Sequence, residues 1–498
     1  MATTLGVEKL QEVLKKGKEP HLLTGEQFKE SLRDGRHVVG PDGRRIEDVT
    51  QHPVLGRTVE RLARVMDMQH EPQWRDSLTY TENGRRYALG WQIPTTKQHL
   101  YDKLKTVEAT TRETLGMFGR PNDYGAMMAI GFLATIDRVE KENKEFADNI
   151  RGFVNLGRKL NMHSTDLIAD AQSDRRIPLP KKPGRLRIIE DRKDGVVLYG
   201  SKVAGSIGAC CHFFTLSTTL GRGLEEDAAV WCAVPVNSKN LSLVMREPLT
   251  EGEKFDNSED HPLDSRGEEI DNFLVFDGTF IPHEYVFSVR NLDLLDLYFE
   301  SCAHALWHIL ARLAVRAEMF VGVAQVTADM LGTETLPGVR NMISQIAMYA
   351  GALRSFVKAS VEEAVEWNGV MTPNPPLVTC GRLYSIQYYP EVQYLLRDIC
   401  GQGLVSRFPS KVWDDAYFGK KLEEFLPGTG YTAREKNRWF NFVWDLTAGA
   451  HAMRVGQFEN VNATPRYFIS ELIYKHYDRS KWMKAARDIA GVPLEPHT

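Results

Sequence analysis

Two short segments of this chain carry side chains whose types and spacing could do chemistry. Gly119-Arg-Pro-Asn-Asp-Tyr-Gly125 interrupts a helical pattern with two glycines and a proline, yet it brings a cation at Arg120 and a phenol at Tyr124. Leu167-Ile-Ala-Asp-Ala-Gln-Ser-Asp-Arg175 leaves a helical block for a strand-like one and offers backbone amides, Gln172, Ser173 and the adjacent Asp174 and Arg175. Donors and acceptors of that kind suit the pyrimidine edge of an isoalloxazine, which takes several hydrogen bonds. Ser206 could add a hydroxyl close to the ring. From spacing alone, Asp174-Arg175 reads equally well as a local ion pair closing a loop.

Other chemistries find weaker support. His304 and His308 stand at i and i+4, the spacing that lets two imidazoles share an ion, but no carboxylate completes a set and no His-Glu-x-x-His motif is present. Histidines satisfied within a helical bundle are the expected reading, with no metal. A Gly-x-Ser-x-Gly elbow for nucleophilic hydrolysis is missing. Gly200-Ser-Lys-Val-Ala-Gly-Ser-Ile-Gly208 lies between strands rather than opening a helix, so a tight hairpin is expected there and not a phosphate cradle.

The elements that must position these residues fall into three blocks: residues 1–160 mainly helical, 161–290 rich in strands, and 291–498 helical again. A lysine-rich lead gives way at Thr24 to a capped helix, a small hairpin through Val38 to Ile46, and a helix from Pro53 to Met68. Residues 96–118 and 126–160 read as two long amphipathic runs, the first with a stripe at Leu100, Leu104, Val107, Thr111, Leu115 and Phe118. From Arg185 to Phe287 come short Val-, Ile- and Phe-rich runs, among them Arg187–Glu190, Val196–Tyr199 and Val230–Pro235, broken by Asp-Gly and Gly-Arg-Gly turns. Helices are then expected at 293–331, 339–368, 382–400, 432–448 and 465–490, joined as an antiparallel bundle. A β block clamped between helical blocks leaves a seam where a planar cofactor can lie with strands on one face and helices on the other.

Bulk composition limits the function classes. A formal net charge of −4 over 498 residues gives no general case for nucleic-acid binding. The six cysteines include no Cys-x-x-Cys and no secreted-type framework, so reduced thiols are expected. The opening residues lack a signal-peptide pattern and no apolar run approaches a membrane span, which points to a cytoplasmic protein with no membrane partner.

With these residues in hand, the chain resembles the two-component, reduced-flavin-dependent aromatic monooxygenases, the family of the 4-hydroxyphenylacetate 3-monooxygenase oxygenase component and the chlorophenol monooxygenases. The similarity runs from Asp48-Val-Thr-Gln-His-Pro53 to Trp444–Arg454. Its markers are Gly119–Tyr124, Asp170-Ala-Gln-Ser-Asp-Arg175, Gly200-Ser-Lys-Val203 and Val275-Phe-Asp-Gly-Thr-Phe-Ile-Pro282. The resemblance implies an α+β fold like the acyl-CoA dehydrogenases: an N-terminal helical domain, a middle β-barrel and a C-terminal four-helix bundle, assembled as a homotetramer. It also implies reduced FAD supplied by a separate NAD(P)H-dependent flavin reductase, and O2 carried as a flavin C4a-hydroperoxide to an aromatic small molecule. A non-oxygenase of the same fold, such as an iron–sulfur 4-hydroxybutyryl-CoA dehydratase, and a catalytically silent binding protein are the alternatives. Against the dehydratase, the first cysteine is Cys210.

Residue by residue, Arg120 and Tyr124 match the family's substrate-loop pair, where an enclosed guanidinium favours phenolate over phenol. The bland reading of Arg120 is a tie to Asp123. The resemblance assigns the flavin's pyrimidine side to Asp166, Leu167, Ile168, Gln172, Ser173, Asp174 and Arg175, a ring contact to Ser206, and a further contact to Ala448, Gly449 and Arg454, with Ala452-Met453 in place of the family's Gly-Gly. Two departures concern the phenol-binding histidine. An ungapped match puts Asp166 where one branch has His, with His163 three residues earlier, and puts Leu306 where the other branch has its bundle-helix His, with His304 and His308 beside it on another face. Asp166, which could instead cap a helix, would suit a cationic or N–H-bearing substrate.

Overall fold

Thr24 opens the first well-anchored helix, Gly25–Ser31, through a reciprocal cap in which Gln27, not an acid, supplies the returning side chain. The computed structural model describes residues 5–218, 224–461 and 466–492, so the Gly221-Arg-Gly223 turn lies outside the described residues. Helix Leu55–Met68 follows, and helix Lys97–Thr114 ends where Leu115 and Gly116 take left-handed conformations (φ 50° and 65°). The expected single run over 126–160 is three helices, Tyr124–Ala134, Ile136–Glu142 and Lys144–Leu160. The last restart has a local cause: the Asn143 side chain accepts from the amides of Glu145 and Phe146.

The β block forms two sheets. One runs in the order Arg45–Ile46, Val38–Val39, Leu241–Met245, Asn272–Pro282, Gly195–Lys202, Arg187–Arg192; the other Val286–Val289, Val230–Pro235, Phe213–Ser217, Ser164–Leu167. The first borrows the Val38–Ile46 hairpin from the N-terminal block, Val38 pairing in parallel with Leu243. The expected closed barrel is not formed. Arg187–Arg192 ends its sheet as a largely exposed edge, while Ser164–Leu167 is covered by helix Tyr124–Ala134 instead of another strand. Nor is Gly200–Gly208 a hairpin, because the strands it joins, Gly195–Lys202 and Phe213–Ser217, belong to different sheets.

Helix Tyr124–Ala134 is buried almost all round, as its sequence Tyr-Gly-Ala-Met-Met-Ala-Ile-Gly-Phe-Leu-Ala requires. Gly125 makes the strand contact possible: a Cβ there would lie 2.1 Å from the Ser164 carbonyl oxygen. Phe132 meets Trp231, Phe287 and Tyr298 edge-on or tilted, at centroid distances of 5.1 to 6.0 Å, so one aromatic cluster joins helix, sheet and the C-terminal block.

In the C-terminal block the expected helix 293–331 breaks at Cys302 into Leu292–Ser301 and Ala303–Leu331. Helices Pro337–Glu362 and Pro375–Cys400 pack on the latter, with a hairpin of Val365–Trp367 and Val370–Thr372 between them where helix was expected to 368. Ala433–Thr447 and Ala450–Val461 follow, and the last expected helix is two, Arg466–His476 and Ser480–Ala490. No helix of the described residues is long and apolar enough to cross a membrane.

Candidate active site

The Gly119–Gly125 loop is drawn down between the strand Ser164–Leu167 and the helix Ala450–Val461. Arg120, 4% exposed, donates from Nε to Asp166 Oδ1 at 2.6 Å. Its backbone amide donates to Glu269 Oε1 at 2.7 Å, and its guanidinium lies 4.1 Å from the Tyr124 ring centroid and 5.1 Å from that of Phe458. Burial works against the Arg120 charge, but Asp166, Tyr124 and Glu269 outweigh it and raise the pKa. Burial likewise lifts the Tyr124 phenol well above its ordinary value, so that group stays neutral.

Glu269 links this loop to a second arginine. Arg454 binds Glu269 Oε2 at 2.6 Å and Asp271 with the rest of its fork, and it stacks on the opposite end of Phe458 at 4.4 Å. Asp271 also accepts from the Ser206 hydroxyl at 2.7 Å, and Arg454 above all holds the carboxyl below its usual range against the raising effect of burial. A continuous chain of charge-assisted bonds thus ties the N-terminal loop, the β block and the C-terminal block together.

Arg120 does not pair with Asp123. That carboxylate, 5% exposed, accepts from His308 Nε2 at 3.0 Å, and its pKa stays low because His308 outweighs burial. The His308 ring stands edge-on to Tyr124 at 5.6 Å. Beneath it the wholly buried Lys103 is pushed down to about 7 by desolvation, its ammonium on the carbonyls of Leu89 and Gly90. Leu306 points elsewhere, into an outer cavity of about 360 Å³ with Trp367, Leu472 and Tyr477. Of the two bundle histidines, then, His308 joins the loop, while His304 meets Thr372 and is driven to about 3 by burial. They share no ion site.

His163 is also kept away from the loop's open side. It packs on Phe28 beside His212, near the carbonyls of Arg120 and Cys210, and burial lowers it to about 4. Asp166 caps no helix: it lies within a strand, facing Arg120.

The segment after that strand is open. Gln172, Asp174 and Arg175 are exposed and Ser173 is half-buried, and among the described residues the side chains of Gln172, Ser173 and Arg175 have no partner. The expected Asp174-Arg175 pair does not form; Asp174 accepts from the backbone and guanidinium of Arg176, a local turn geometry that an adjacent residue cannot make. Ala448 and Gly449 lie at the junction of helices Ala433–Thr447 and Ala450–Val461, Gly449 beside Asp264. The free donor and acceptor groups of 172–175 are of the kind a flavin's pyrimidine edge requires. Arg454, by contrast, is already matched by two carboxylates.

Several partners were not legible in advance: Glu269, Asp271, Phe458, and the His308–Asp123 pair. Arg454 and Phe458 at i and i+4 on one helix face, opposite the acidic run Glu268-Glu269-Ile270-Asp271, were the available signal. So was the one three-residue set with metal-ligand geometry among the described residues, His261, Asp264 and Asp445, whose ligand atoms lie within 4.8 Å of one another. Asp445 has a structural task there, accepting from the amides of Leu263 and Asp264.

Residues 24–288 match the N-terminal part of 4-hydroxyphenylacetate 3-hydroxylase, and residues 295–491 match its C-terminal part. The chain belongs to the 4-hydroxyphenylacetate 3-hydroxylase family. It is 28% identical over 471 residues to the 4-hydroxyphenylacetate 3-monooxygenase oxygenase component of Thermus thermophilus, covering 93% of this chain and 96% of that one. To the FADH(2)-dependent monooxygenase TftD of Burkholderia cepacia it is 29% identical over 482 residues, 94% of this chain and 93% of the relative. The crystal structure of the oxygenase component of 4-hydroxyphenylacetate 3-monooxygenase complexed with FAD and 4-hydroxyphenylacetate superposes with a TM-score of 0.89 at 27% identity, over 94% of this chain and 98% of that one. For this hydroxylase-family chain the mixed α+β architecture is therefore shared across nearly its whole length.

Proposed function

We propose that the chain is the oxygenase component of a two-component, FADH2-dependent monooxygenase that inserts one atom of O2 into an aromatic small molecule, phenolic or related. The observation that carries this reading is the Arg120–Tyr124 loop: a buried guanidinium and a neutral phenol fixed beside a strand that leads to the flavin-type side chains of Gln172, Ser173 and Arg175, which have no partner among the described residues. Its supports are the family membership and the superposition on a relative complexed with FAD and an aromatic acid.

Reduced FAD, when bound, activates O2 and supplies the oxygen atom. This chain's residues do the rest. Asp166 to Ile168 and Gln172 to Arg175 take the pyrimidine side, Ser206 lies by the ring, and Ala448, Gly449 and Arg454 flank the cofactor from the C-terminal block. Arg120 and Tyr124 orient the substrate, Asp166 and His308 serve its proton, and His163 supports the strand behind them. Burial of the loop excludes water. A separate NAD(P)H-dependent reductase delivers the flavin, and the chain works as a cytoplasmic homotetramer on an acyl-CoA-dehydrogenase-like division into 1–160, 161–290 and 291–498, the last a four-helix bundle.

Against the iron–sulfur alternative, Cys210, Cys211, Cys232 and Cys302 are buried and burial pushes each up, Cys210 to about 12. Stopped-flow mixing of the anaerobic FADH2 complex with O2 tests the oxygenase reading. A transient absorbance distinct from oxidised FAD is expected before reoxidation; direct reoxidation at every pH would count against it.

A further inference from the structure

The Asp166 carboxylate stands where it cancels the charge of Arg120. The two meet at 2.6 Å with side chains 12% and 4% exposed; Nη1 of Arg120 donates to the Gly119 carbonyl, its backbone amide donates to Glu269, and its guanidinium lies against the rings of Tyr124 and Phe458. Among the described residues, the neighbouring carboxylates have partners of their own. Glu269 is matched by Arg454, and Asp123 by His308.

The remaining titratable groups around Asp166 are neutral. Tyr124 follows the loop, Tyr298 comes from helix Leu292–Ser301 and Cys302 from its end, and burial pushes all three above their ordinary values. An anionic ring brought here would meet Asp166 with its countercharge already taken, in a region that has lost most of its water. A carboxylate with one oxygen on a guanidinium and the Tyr124 hydroxyl beside it still keeps lone pairs for an incoming donor.

We propose that this site selects its aromatic substrate in the uncharged form, a phenol or arylamine whose O–H or N–H donates to Asp166, rather than as a phenolate held by Arg120. Asp166 is then the specificity-determining residue. The inference rests on the aromatic-oxygenase reading above.

The test uses the holoenzyme with reduced, colourless FAD under anaerobic conditions, titrated with 4-nitrophenol, whose phenolate is yellow and whose phenol is not, and in parallel with 4-nitroaniline. Above the ligand's own pKa, bound nitrophenol should lose its colour, and its affinity should fall about tenfold for each pH unit. Nitroaniline affinity should stay flat. Asp166→Asn keeps the shape and removes the charge, so bound nitrophenol should keep its colour and the pH trend should reverse. Arg120→Gln, which leaves Asp166 without its cation, should retain nitroaniline and bind nitrophenol only as the colourless phenol. Wild-type enzyme that binds nitrophenol with its yellow absorbance intact overturns the proposal. Failure of both ligands to bind overturns it as well, and separately from the oxygenase reading, because the oxygen-dependent transient is measured without any aromatic.

Discussion

The loop 119–125 packs along the strand Ser164–Leu167 and the segment 169–175 leaves that strand's C-terminal end, and they are built in opposite ways. Every residue from Gly119 to Gly125 is buried, and the polar ones are bonded across module boundaries to Asp166, Glu269 and His308. The segment 169–175 is mostly exposed, with side chains that have few partners inside the chain. A substrate end preorganised by the protein and a cofactor end completed by its ligand is the division expected of an enzyme that receives its flavin from another protein.

The comparison is broken most directly at Arg120. Arg120→Ala should leave oxygen consumption running while product falls a hundredfold or more, because it leaves the Asp166 carboxylate unpaired in a desolvated site, at a cost on the order of 3 kcal/mol. Product, peroxide and oxygen uptake measured together check this, and wild-type coupling would remove Arg120 from the substrate site. Arg120→Lys should rescue poorly, since an ammonium cannot reproduce the stacked planar fork between Tyr124 and Phe458.

A second prediction separates His163 from the loop it was expected to serve. Its folded pKa of about 4 lies below the unfolded value, so the unfolded chain binds the extra proton first as pH falls. The stability associated with the neutral ring is therefore complete above the ordinary imidazole value and is lost progressively down to about 4, on the order of 3 kcal/mol in all. His163→Leu should flatten the Tm–pH curve over that window and leave coupling unchanged. A turnover defect with an unaltered Tm profile would return His163 to the site.

The sequence made the block order, both loops, the Val38–Ile46 hairpin and most helix starts legible, because caps, turn residues and periodicity are local signals. What it could not supply was pairing between distant segments. The middle barrel came from the resemblance, and the strands themselves could not correct it, because strands are visible in a sequence and their neighbours are not. The bland alternative for Arg120, a tie to Asp123 three residues away, fails because its partner is Asp166 on another element and Asp123 instead holds His308. His308 illustrates the same limit: an ungapped match chose Leu306, but helix Ala303–Leu331 presents Leu306 outward and His308 to the loop.

That correction yields the third prediction. His308 touches Tyr124 edge-on and fixes Asp123, so His308→Gln should lower product yield about tenfold, the scale of one lost buried hydrogen bond to a charged group. Asp166→Asn should change product formation more than oxygen reactivity, since it alters the substrate's acceptor and leaves the flavin's backbone contacts. Equal and normal coupling in both variants would place substrate activation on Arg120 and Tyr124 alone.

The smallest expected effect tests the open end of the strand. If 172–175 is completed by the cofactor, Gln172→Ala and Ser173→Ala should each weaken FADH2 binding by about 1 kcal/mol, roughly fivefold, as one exchanged hydrogen bond does. Neither side chain has an intramolecular partner among the described residues, so the flavin-free chain should unfold at the wild-type temperature. The stabilisation that saturating FAD adds to Tm should shrink by the same free energy, which makes the two measurements a closed check. Arg454→Ala gives the contrast, because its guanidinium is bonded to Glu269 and Asp271: it should lower the Tm of the flavin-free chain outright. Should the two loop variants lower that Tm while leaving FADH2 affinity intact, the segment would be structural, and the difference between it and the loop 119–125 would lose its meaning.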